Sequence, residues 1–417
     1  MDFSAVVLTE AQQAFAGEVQ AFLDEHLTEE AYAGARERTD HFDERLYLAL
    51  GSKGWLQPRW RREDGGAELD DVCVRILETE LAKRDAPIGG GGILGGAAGL
   101  IWPAVEAHGD PGLRAELKPQ VARGTARLTL GYTEPDGGSD IAGAKTRAVR
   151  DGDEWVINGQ KIFTGGAQHA QYTFLITRTD PTLPKHKGLT MFLVPLNSAG
   201  IEIQALLTVG DERTNIVYYS DVRISDRYRI GEVNNGWSVL HGPLDAEHSI
   251  GDTASKLEDL SIGTAHMRYL RKAVEAATRW ALDAPDGDGS TMSADTLFLT
   301  GLGRILVQIE AGLDTPGPMG RIKGADVAIA GCEQLIGLVG PAATLPYGAD
   351  GAIADGAIEH AHRAVQVTAT YGGTVEVFRT VIAQHHLGLP RPDYPGRRVF
   401  LQPGRPATAT ATATATA

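Results

Sequence analysis

The spacing of apolar residues divides the chain into three parts. Over residues 1–124, apolar positions recur every three or four residues, which is typical of amphipathic helices. The clearest helical spacing is found at residues 9–25, 42–51 and 70–84. Thr9 is a predicted N-cap, because its hydroxyl can accept a hydrogen bond from the first helical turn. Between about residues 128 and 230 the period changes to two, which predicts strands, and from about 237 to 389 the helical period returns.

The middle part contains the most informative stretch of the chain. Residues 127–132 are predicted to be extended and lead into the turn-rich sequence TEPDGGSD at residues 133–140. The hydroxyls and free amides of such a turn can donate hydrogen bonds to a ring with many acceptors. A hairpin follows, with strands at 147–150 and 155–157 joined by a DGD turn. Further strands are predicted at 172–177, 189–195, 201–203 and 215–224.

The last part is predicted to be helical. Its expected helices are a segment that begins near Pro243, followed by residues 294–313, 321–339 and 353–387. The sequence APDGDGSTMS at 284–293 is rich in turn residues and is predicted to be a loop. We therefore divide the chain into a helical N-terminal domain (1–124), a middle β domain (125–235), a helical C-terminal domain (236–392) and a disordered tail (393–417). The tail ends in an Ala-Thr alternation to which we assign no function.

Composition and charge argue against several classes of partner. The net charge of −15 at pH 7 disfavours nucleic acid and anionic membranes, since neither is attracted to an acidic surface. Cys73 and Cys332 lie far apart in the sequence, which disfavours a disulfide framework and fits a reducing cytosol. The first residues show no signal-peptide pattern, and glycines and prolines interrupt the nearest approach to a membrane span, at 86–106. We expect a cytoplasmic protein that binds neither nucleic acid nor membrane.

A glycine-rich run offers a nucleotide-binding alternative. Gly90, Gly92 and Gly95 have the GxGxxG spacing of a dinucleotide-binding turn, and Asp110 follows at the distance of a ribose-binding carboxylate. That motif requires a buried strand before it, whereas the helical, charged sequence ETELAKRD precedes it here. We therefore favour close helix packing or room for a large ligand over a phosphate site. A nicotinamide-dependent dehydrogenase remains the weaker alternative.

Two motifs in the middle part give a more specific indication. YTEPDGGSD at residues 132–140 is followed by NGQKIFTGG at residues 158–166, and the pair closely resembles the flavin-binding middle domain of acyl-CoA dehydrogenases. The resemblance covers roughly residues 8–392. It implies an α+β multidomain fold, with an antiparallel β-barrel or sandwich between an N-terminal helical domain and a C-terminal helical bundle. It also implies FAD as cofactor, an acyl-CoA substrate and no metal ion.

The family's reaction requires one well-placed carboxylate. This group removes the α-proton of the thioester while the β-hydrogen leaves as hydride to the flavin. Many members use the Glu of a YEGT motif, but this chain has YGGT at residues 371–374. A minority use a motif similar to LDxER, and this chain has LDAEH at residues 244–248. The resemblance therefore implies Glu247 as the base, the alternative being a solvated acidic residue on a helix. The amide of Gly372 can still donate to the thioester carbonyl.

The same resemblance assigns cofactor contacts residue by residue. The positions that correspond to flavin-binding residues of the family are Tyr132, Thr133, Ser139, Phe163, Thr164, Thr374 and Glu376. Phe163 stands where relatives more often have Trp, against the face of the flavin ring. Thr374 and Glu376 belong to the sequence GTVEV and approach the cofactor from the last helices. Ordinary packing between strands and loops is the alternative role for these residues.

A second cofactor-binding segment departs from the family pattern. In relatives, a segment similar to QxxGGxG reaches across a subunit interface to the neighbour's flavin, and Gln334, Gly337 and Gly340 are kept here. Leu338 and Val339 replace the second glycine and the polar residue after it. The other such segment, an Arg followed by Phe-Gly, has no counterpart, because APDGDGSTMS stands in its place. These departures imply that the chain serves its partner's flavin poorly.

Together the departures resemble one subunit of the heteromeric, α2β2 acyl-CoA dehydrogenases of steroid-degrading actinobacteria. The implied function is α,β-dehydrogenation of a bulky acyl-CoA derived from a steroid side chain or ring. Glu247 would be the base, FAD the hydride acceptor and electron-transfer flavoprotein the next electron acceptor. Glycine at position 372 clears space for such an acyl group. The alternatives are a non-catalytic scaffold subunit and a homotetrameric branched-chain acyl-CoA dehydrogenase.

Overall fold

The structure is a computed structural model, and it describes residues 7–89, 97–240, 262–285, 289–315 and 317–390. Helices come first, then strands, then helices again, as the apolar spacing predicts. The helices described before the sheet are α1 (Glu10–His26), α2 (Glu29–Arg38), α3 (Glu44–Ser52), α4 (Asp71–Lys83), α5 (Ala97–His108) and α6 (Pro111–Arg123). Helices α1, α3 and α4 share a buried cluster that includes Leu23, Leu50 and Leu77.

Polar caps start several of these helices. Thr9 Oγ1 accepts a hydrogen bond from the amide of Gln12 and the Gln12 side chain accepts one from the amide of Thr9, which confirms the predicted N-cap. Asp110 caps α6 by accepting from the amide of Leu113 at 2.9 Å. This contact explains the presence of Asp110 by helix capping, without a bound nucleotide. Gly90, Gly92 and Gly95 lie outside the described residues.

The middle part forms one eight-stranded sheet. Its strands are β1 (Leu128–Gly131), β2 (Arg147–Asp151), β3 (Glu154–Lys161), β4 (Tyr172–Arg178), β5 (Leu189–Pro195), β6 (Ile201–Leu207), β7 (Arg213–Ser225) and β8 (Arg229–Ile230). They are ordered β6-β7-β3-β2-β4-β5-β8, and β1 pairs with β4. The predicted hairpin β2–β3 is antiparallel, as are β4–β5 and β6–β7. In contrast, β1 runs parallel to β4, because it enters the sheet from α6 rather than through a hairpin.

Both faces of the central strands are covered. On one face, a cluster that includes Met191 and Leu193 of β5 packs against Leu117 of α6. On the other face, Phe192 packs with Trp155 of β3, their ring centroids 5.2 Å apart. Burial on two sides explains why β5 is a continuous apolar run rather than an alternating one.

The C-terminal helices described are α7 (Ile262–Asp283), α8 (Thr296–Leu313), α9 (Gly317–Val339), α10 (Ala357–Val365) and α11 (Val375–Val381). The prediction of one helical stretch over residues 353–387 is wrong, because a turn at 370–374 separates α10 from α11. Gly372 and Gly373 have φ angles of +60° and +87°, which a continuing right-handed helix does not allow. The helix expected near Pro243 and the tail lie outside the described residues.

Helix α8 is the one described helix that is long and apolar enough, by composition, to cross a membrane. One stripe of it, including Phe298, Leu302 and Ile305, is buried in the core of the C-terminal helices. A core helix of a folded domain meets the same composition test, so this feature does not indicate a membrane span.

Candidate active site

The two motifs of the middle domain lie side by side. The first follows β1, and the second begins at the end of β3. The amide of Ile162 donates to the carbonyl of Thr133 at 2.9 Å. The Thr129 hydroxyl, on β1, donates to the carbonyl of Gly165 at 2.7 Å. These contacts join the two segments into one surface, although they are separate in the sequence.

A buried ion pair also holds the two motifs together. Lys161 is fully buried, and its Nζ lies 2.7 Å from Oε1 of Glu134 and donates to the carbonyl of Tyr132 at 3.2 Å. The Glu134 carboxylate accepts further hydrogen bonds from the amides of Lys145 and Thr146, at 2.7 and 2.9 Å. Glu134 and Lys161 both belong to the two sequence motifs, but no role was predicted for either. No local signal pairs them, because they stand 27 residues apart in the sequence.

The two charges affect each other's ionisation. Burial lowers the pKa of Lys161 to about 8, although the neighbouring charge of Glu134 acts to raise it. Burial opposes ionisation of Glu134 as well, but the charge of Lys161 and the hydrogen bonds to the carboxylate outweigh it. The pKa of Glu134 is therefore lowered. At pH 7 the pair is thus an ammonium and a carboxylate.

Asn215 on β7 holds the end of the second motif. Its side-chain amide donates to the carbonyl of Thr164 at 2.9 Å and to Oε1 of Gln168 at 2.7 Å. In return, the amide of Thr164 donates to the carbonyl of Asn215 at 3.0 Å. Asn215 is fully buried, so these hydrogen bonds compensate for the loss of its contact with water. Sequence analysis missed this residue, although a polar Asn near the start of a predicted strand is a usable signal.

Phe163 and Thr164 give the joined motifs two unusual features. Phe163 is 60% exposed and has a φ of +59°, a left-handed conformation that is strained for an aromatic residue. Thr164 is 1% exposed, and its hydroxyl has no hydrogen-bond partner among the residues described. An exposed aromatic face beside a buried, unsatisfied hydroxyl suits a planar ligand that accepts hydrogen bonds.

Tyr132, Thr133 and Ser139 lie at different depths of the first motif. Tyr132 is buried, with its ring 6.2 Å from that of Phe174, and Thr133 is half-buried. Ser139 is exposed and lines a groove of about 410 Å³ together with Thr374 and Glu376. The groove is completed by Val377, Thr380, Val381, Gln384 and His385. The structure therefore brings together three predicted cofactor-binding residues from two different domains.

Thr374 and Glu376 both have contacts of their own beside this groove. The Thr374 hydroxyl caps α11 by accepting a hydrogen bond from the amide of Val377 at 3.2 Å. Glu376 is exposed, and its carboxylate lies 3.5 Å from the guanidinium of Arg379. The groove thus offers hydroxyl, amide and imidazole groups around one paired carboxylate. Among the residues described, no group of three His, Cys, Asp or Glu side chains could hold a metal ion.

Gly372 lies two residues before Thr374, in a turn whose shape depends on glycine. At its φ of +60°, a residue with a Cβ atom pays roughly 1–2 kcal/mol. The left-handed conformation therefore disfavours a glutamate at this position. Glu247 lies outside the described residues.

Gln334 and Gly337 lie on α9, away from the groove lining. Both are exposed, and a Cβ atom at position 337 would meet open space among the residues described. Leu338, which replaces a glycine of the family pattern, contacts Gly301 of α8. A Cβ atom at position 301 would come within 2.6 Å of its methyl carbons. Leu338 therefore packs within this chain's own helices.

A β domain between two helical domains, with an exposed aromatic residue and a groove shared with the last helices, is the arrangement that the resemblance to flavin-dependent acyl-CoA dehydrogenases predicts. Comparison with known proteins identifies the particular group. Residues 9–125 match the N-terminal domain of acyl-CoA dehydrogenases, and residues 129–222 match the middle domain. The chain belongs to the acyl-CoA dehydrogenase family, and it is an FAD-dependent enzyme of that family.

Several mycobacterial proteins are similar to it over most of their length. Acyl-CoA dehydrogenase FadE26 of Mycobacterium tuberculosis is 29% identical over 364 residues, which cover 82% of this chain and 86% of that protein. Acyl-CoA dehydrogenase IpdE1 of the same organism is 29% identical over 398 residues, covering 91% and 98%.

Two solved complexes share the fold as well as part of the sequence. One chain of the ChsE4–ChsE5 complex from M. tuberculosis superposes with a TM-score of 0.78 at 28% identity, covering 93% of this chain and all of that one. The Tcur3481–Tcur3483 steroid ACAD gives a TM-score of 0.77 at 29% identity, covering 94% of this chain and all of that one. Both solved structures contain two different subunits by name, and the chain resembles one subunit of this heteromeric type.

The Phe163 side chain provides a direct test of the flavin surface. Phe163→Ala is expected to raise the dissociation constant of FAD about tenfold, because stacking on an aromatic face contributes roughly 0.5–1.5 kcal/mol beyond area burial. The apoprotein should unfold at an unchanged temperature, since the ring is mostly exposed. FAD titration by fluorescence measures the effect. Val149→Ala, which truncates an exposed side chain of β2, is the matched control. Equal FAD affinity in the two variants would contradict the assignment.

Proposed function

We propose that the chain catalyses the α,β-dehydrogenation of a bulky, steroid-derived acyl-CoA thioester, with Glu247 as the base. The observation that supports this most directly is the groove in which Ser139 meets Thr374 and Glu376. It joins the predicted flavin loop to the segment that follows Gly372, where relatives carry the base. The similarity to a steroid ACAD and to the ChsE4–ChsE5 complex supports the substrate class.

Each proposed residue has one task in the reaction. Glu247 takes the α-proton of the thioester, and the amide of Gly372 donates to the thioester oxygen as negative charge develops there. FAD, when bound, would supply the acceptor for the β-hydrogen, which leaves as hydride. Phe163 supports one face of the ring, and the Thr164 hydroxyl donates to a ring acceptor. Tyr132, Thr133 and Ser139, with Thr374 and Glu376, orient the cofactor from the two sides of the groove.

The turn at Gly372 also supports a bulky substrate. With no side chain at this position, the space that a glutamate would occupy beside the reacting carbons is open to the acyl group. The left-handed φ of Gly372 and Gly373 favours glycine at both positions. A relocated base and a glycine turn are therefore consistent with each other, because neither requires a carboxylate at residue 372.

A homologous subunit is the proposed partner, in an α2β2 complex. Four apolar side chains of α8 lie outside its buried stripe and are exposed: Leu297 (80%), Leu299 (49%), Leu306 (41%) and Val307 (70%). Exposed apolar groups clustered on one helix mark a protein interface. Gln334 and Gly337, on α9, are exposed and available to such a neighbour. Electron-transfer flavoprotein is the proposed electron acceptor, and the cytoplasm is the proposed compartment.

Co-expression with a homologous subunit tests the proposed function. The purified complex is expected to carry FAD and to reduce a dye acceptor with CoA thioesters of 3-oxo-4-ene steroid acids. Isobutyryl-CoA and butyryl-CoA should react far more slowly, because they fill less of the space beside Gly372. Turnover of the short thioesters by this chain expressed alone, as a homotetramer, would instead support the branched-chain alternative. NAD reduction without flavin absorbance would support the nicotinamide alternative.

The surface of α8 gives a separate prediction about assembly. Val307→Glu is expected to prevent formation of the heterotetramer, since it would bury an unpaired charge at the interface. The isolated chain should unfold at an unchanged temperature, because Val307 is exposed there. Size-exclusion chromatography with light scattering measures the mass. Leu183→Glu, an exposed apolar position between β4 and β5, is the control. An intact tetramer with Val307→Glu would exclude this surface as the interface.

A non-catalytic scaffold is the second candidate function. The observation that favours it is Leu338, which occupies a position of the cofactor-binding segment but packs on Gly301 within the same chain. A scaffold would leave the base and most flavin contacts to its partner. Turnover that is independent of Glu247 and Phe163 in this chain would support the scaffold over the catalytic subunit.

A further inference from the structure

Arg321 is a buried cation, and none of the roles proposed above involves it. It lies on α9 and is 2% exposed. Its Nη2 donates to the carbonyls of Thr368 and Tyr371 at 2.5 and 2.7 Å, and lies 3.4 Å from the carbonyl of Gly373. The guanidinium also lies over the rings of Tyr371 and Phe378, 5.9 and 5.6 Å from their centroids. One side chain therefore contacts two carbonyls of the turn that contains Gly372 and one carbonyl just before it.

The directions of these carbonyls determine the directions of the neighbouring amides. None of the peptide bonds described is cis, and in a trans peptide the C=O and N–H bonds point to opposite sides. The carbonyls of Tyr371 and Gly373 point toward Arg321, so the amides of Gly372 and Thr374 point away from it. In the described part of the chain, no backbone carbonyl accepts a hydrogen bond from either amide.

The turn needs such a contact because its own backbone is permissive. Gly372 and Gly373 are adjacent, and glycine populates both signs of φ at little cost, so the peptide planes between residues 371 and 374 can rotate. A buried guanidinium opposes that rotation, since its Nη2 loses hydrogen-bond acceptors in the interior when these carbonyls turn away. Charge-assisted hydrogen bonds of this kind are stronger than those between neutral groups.

We propose that Arg321 is a positioning residue for the dehydrogenation. It holds the Tyr371–Gly372 peptide plane so that the Gly372 amide faces the thioester oxygen. This inference rests on the proposed function, because it assigns Gly372 the donor role stated there. Arg321 itself contacts neither substrate nor flavin in this proposal, and its effect is transmitted through the carbonyls of the turn.

Arg321→Lys in the complete, FAD-loaded complex is the first test. Lysine keeps the charge, but its shorter side chain places the ammonium farther from the three carbonyls that Nη2 of Arg321 reaches. The rate of flavin reduction is expected to fall about 10- to 100-fold, somewhat less than the 10²- to 10³-fold cost of deleting an oxyanion donor. The thioester concentration for half-maximal rate should change by less than about threefold, since a contact that strengthens in the transition state affects kcat more than binding.

Arg178→Lys is the matched control. Arg178 likewise donates to three backbone carbonyls, those of Ala142, Ala144 and Lys185, but in the middle domain. This variant is expected to reduce flavin at the wild-type rate. If both variants slow the reaction equally, the effect comes from general loosening of the fold, and Arg321 has no specific role.

Vibrational spectroscopy provides a readout that a merely structural role would not affect. The complex is mixed with the α,β-unsaturated CoA thioester of a 3-oxo-4-ene steroid acid, labelled with ¹³C at the thioester carbonyl. The carbonyl stretch of the bound thioester should move to lower frequency in the wild type, because the Gly372 amide donates to the oxygen. That shift should shrink in Arg321→Lys and persist in Arg178→Lys. An equal shift in all three proteins would overturn the inference.

Hydrogen exchange covers the case in which Arg321→Lys folds poorly. Arg321→Met, which replaces the buried charge with an apolar chain of similar length, is expected to raise deuterium uptake in the peptide spanning residues 366–378 of the resting complex. Unchanged uptake there would show that Arg321 does not hold the turn. If wild-type flavin is reduced by no thioester, the proposed function and this inference both fail. Normal turnover with unaffected Arg321 variants removes this inference alone.

Discussion

Glu247→Gln is expected to abolish the reduction of bound flavin by the acyl-CoA substrate. The α-proton of a thioester is weakly acidic, so its removal needs a positioned base, and general-base catalysis contributes typically about 10²–10⁴ in rate. Glutamine keeps the size and polarity of the side chain but cannot accept the proton. FAD content should remain that of the wild type, because the proposed flavin contacts lie elsewhere in the chain. Anaerobic stopped-flow measurement of flavin absorbance tests both expectations.

Glu275→Gln is the matched control for this experiment. Glu275 is exposed on α7, and the same substitution there is expected to leave flavin reduction unchanged. If Glu247→Gln also reacts at the wild-type rate, Glu247 has no part in the chemistry. The base would then have to come from the partner subunit, and the scaffold role would be the better description of this chain. Loss of FAD from Glu247→Gln would indicate a binding role instead.

Local sequence signals predicted the secondary structure well where the structure of an element depends only on the residues within it. The strand predicted at 189–195 and the hairpin predicted to begin at residue 147 are both found at those positions. The N-cap Thr9 was predicted for the same reason, since its hydrogen-bond partner Gln12 is only three residues away. The turn at 370–374 was missed, because helical spacing on both sides concealed the interruption by two left-handed glycines.

Long-range contacts explain the part of the candidate site that the sequence did not predict. Arg321 and Tyr371 are fifty residues apart, and nothing local marks an arginine of α9 as the group that holds a distant turn. The pairing of Glu134 with Lys161 likewise depends on how β1 and β3 lie in the sheet. The family resemblance supplied Ser139, Thr374 and Glu376, and the structure places these three at one groove. Their cofactor roles stay a prediction.

Glu134→Gln is expected to lower the free energy of unfolding by about 3–5 kcal/mol, the usual cost of breaking a buried ion pair from one side. Lys161 is fully buried, so it would be left as a cation without a counter-charge. FAD content should fall in parallel, because the pair holds together the two motifs proposed to bind the cofactor. Urea denaturation and flavin absorbance of the purified protein measure the two effects.

The loss of stability should depend on pH in a defined direction. In the folded wild type the pKa of Lys161 is about 8, below its ordinary value of 10.5, and the charge of Glu134 acts to raise it. Removing that charge lowers the pKa of Lys161 in the folded variant further. Below about pH 8 the folded variant therefore releases a proton from Lys161 that the folded wild type keeps. The difference in unfolding free energy between the two proteins should therefore grow as pH falls below about 8. It should shrink again below about 4.5, where Glu134 of the unfolded wild type takes up a proton and its stabilising effect is progressively lost.

Two further variants separate the ion pair from general damage to the loop. Asp136→Asn removes the partner of Lys145 in an exposed ion pair of the same loop and is expected to leave stability and FAD content unchanged. The double variant Glu134→Leu with Lys161→Met removes both buried charges. It should regain part of the stability lost in Glu134→Gln, since neither side chain then buries a charge. A double variant as unstable as the sum of its single variants would show that the two residues act independently, because coupled neighbours deviate from additivity.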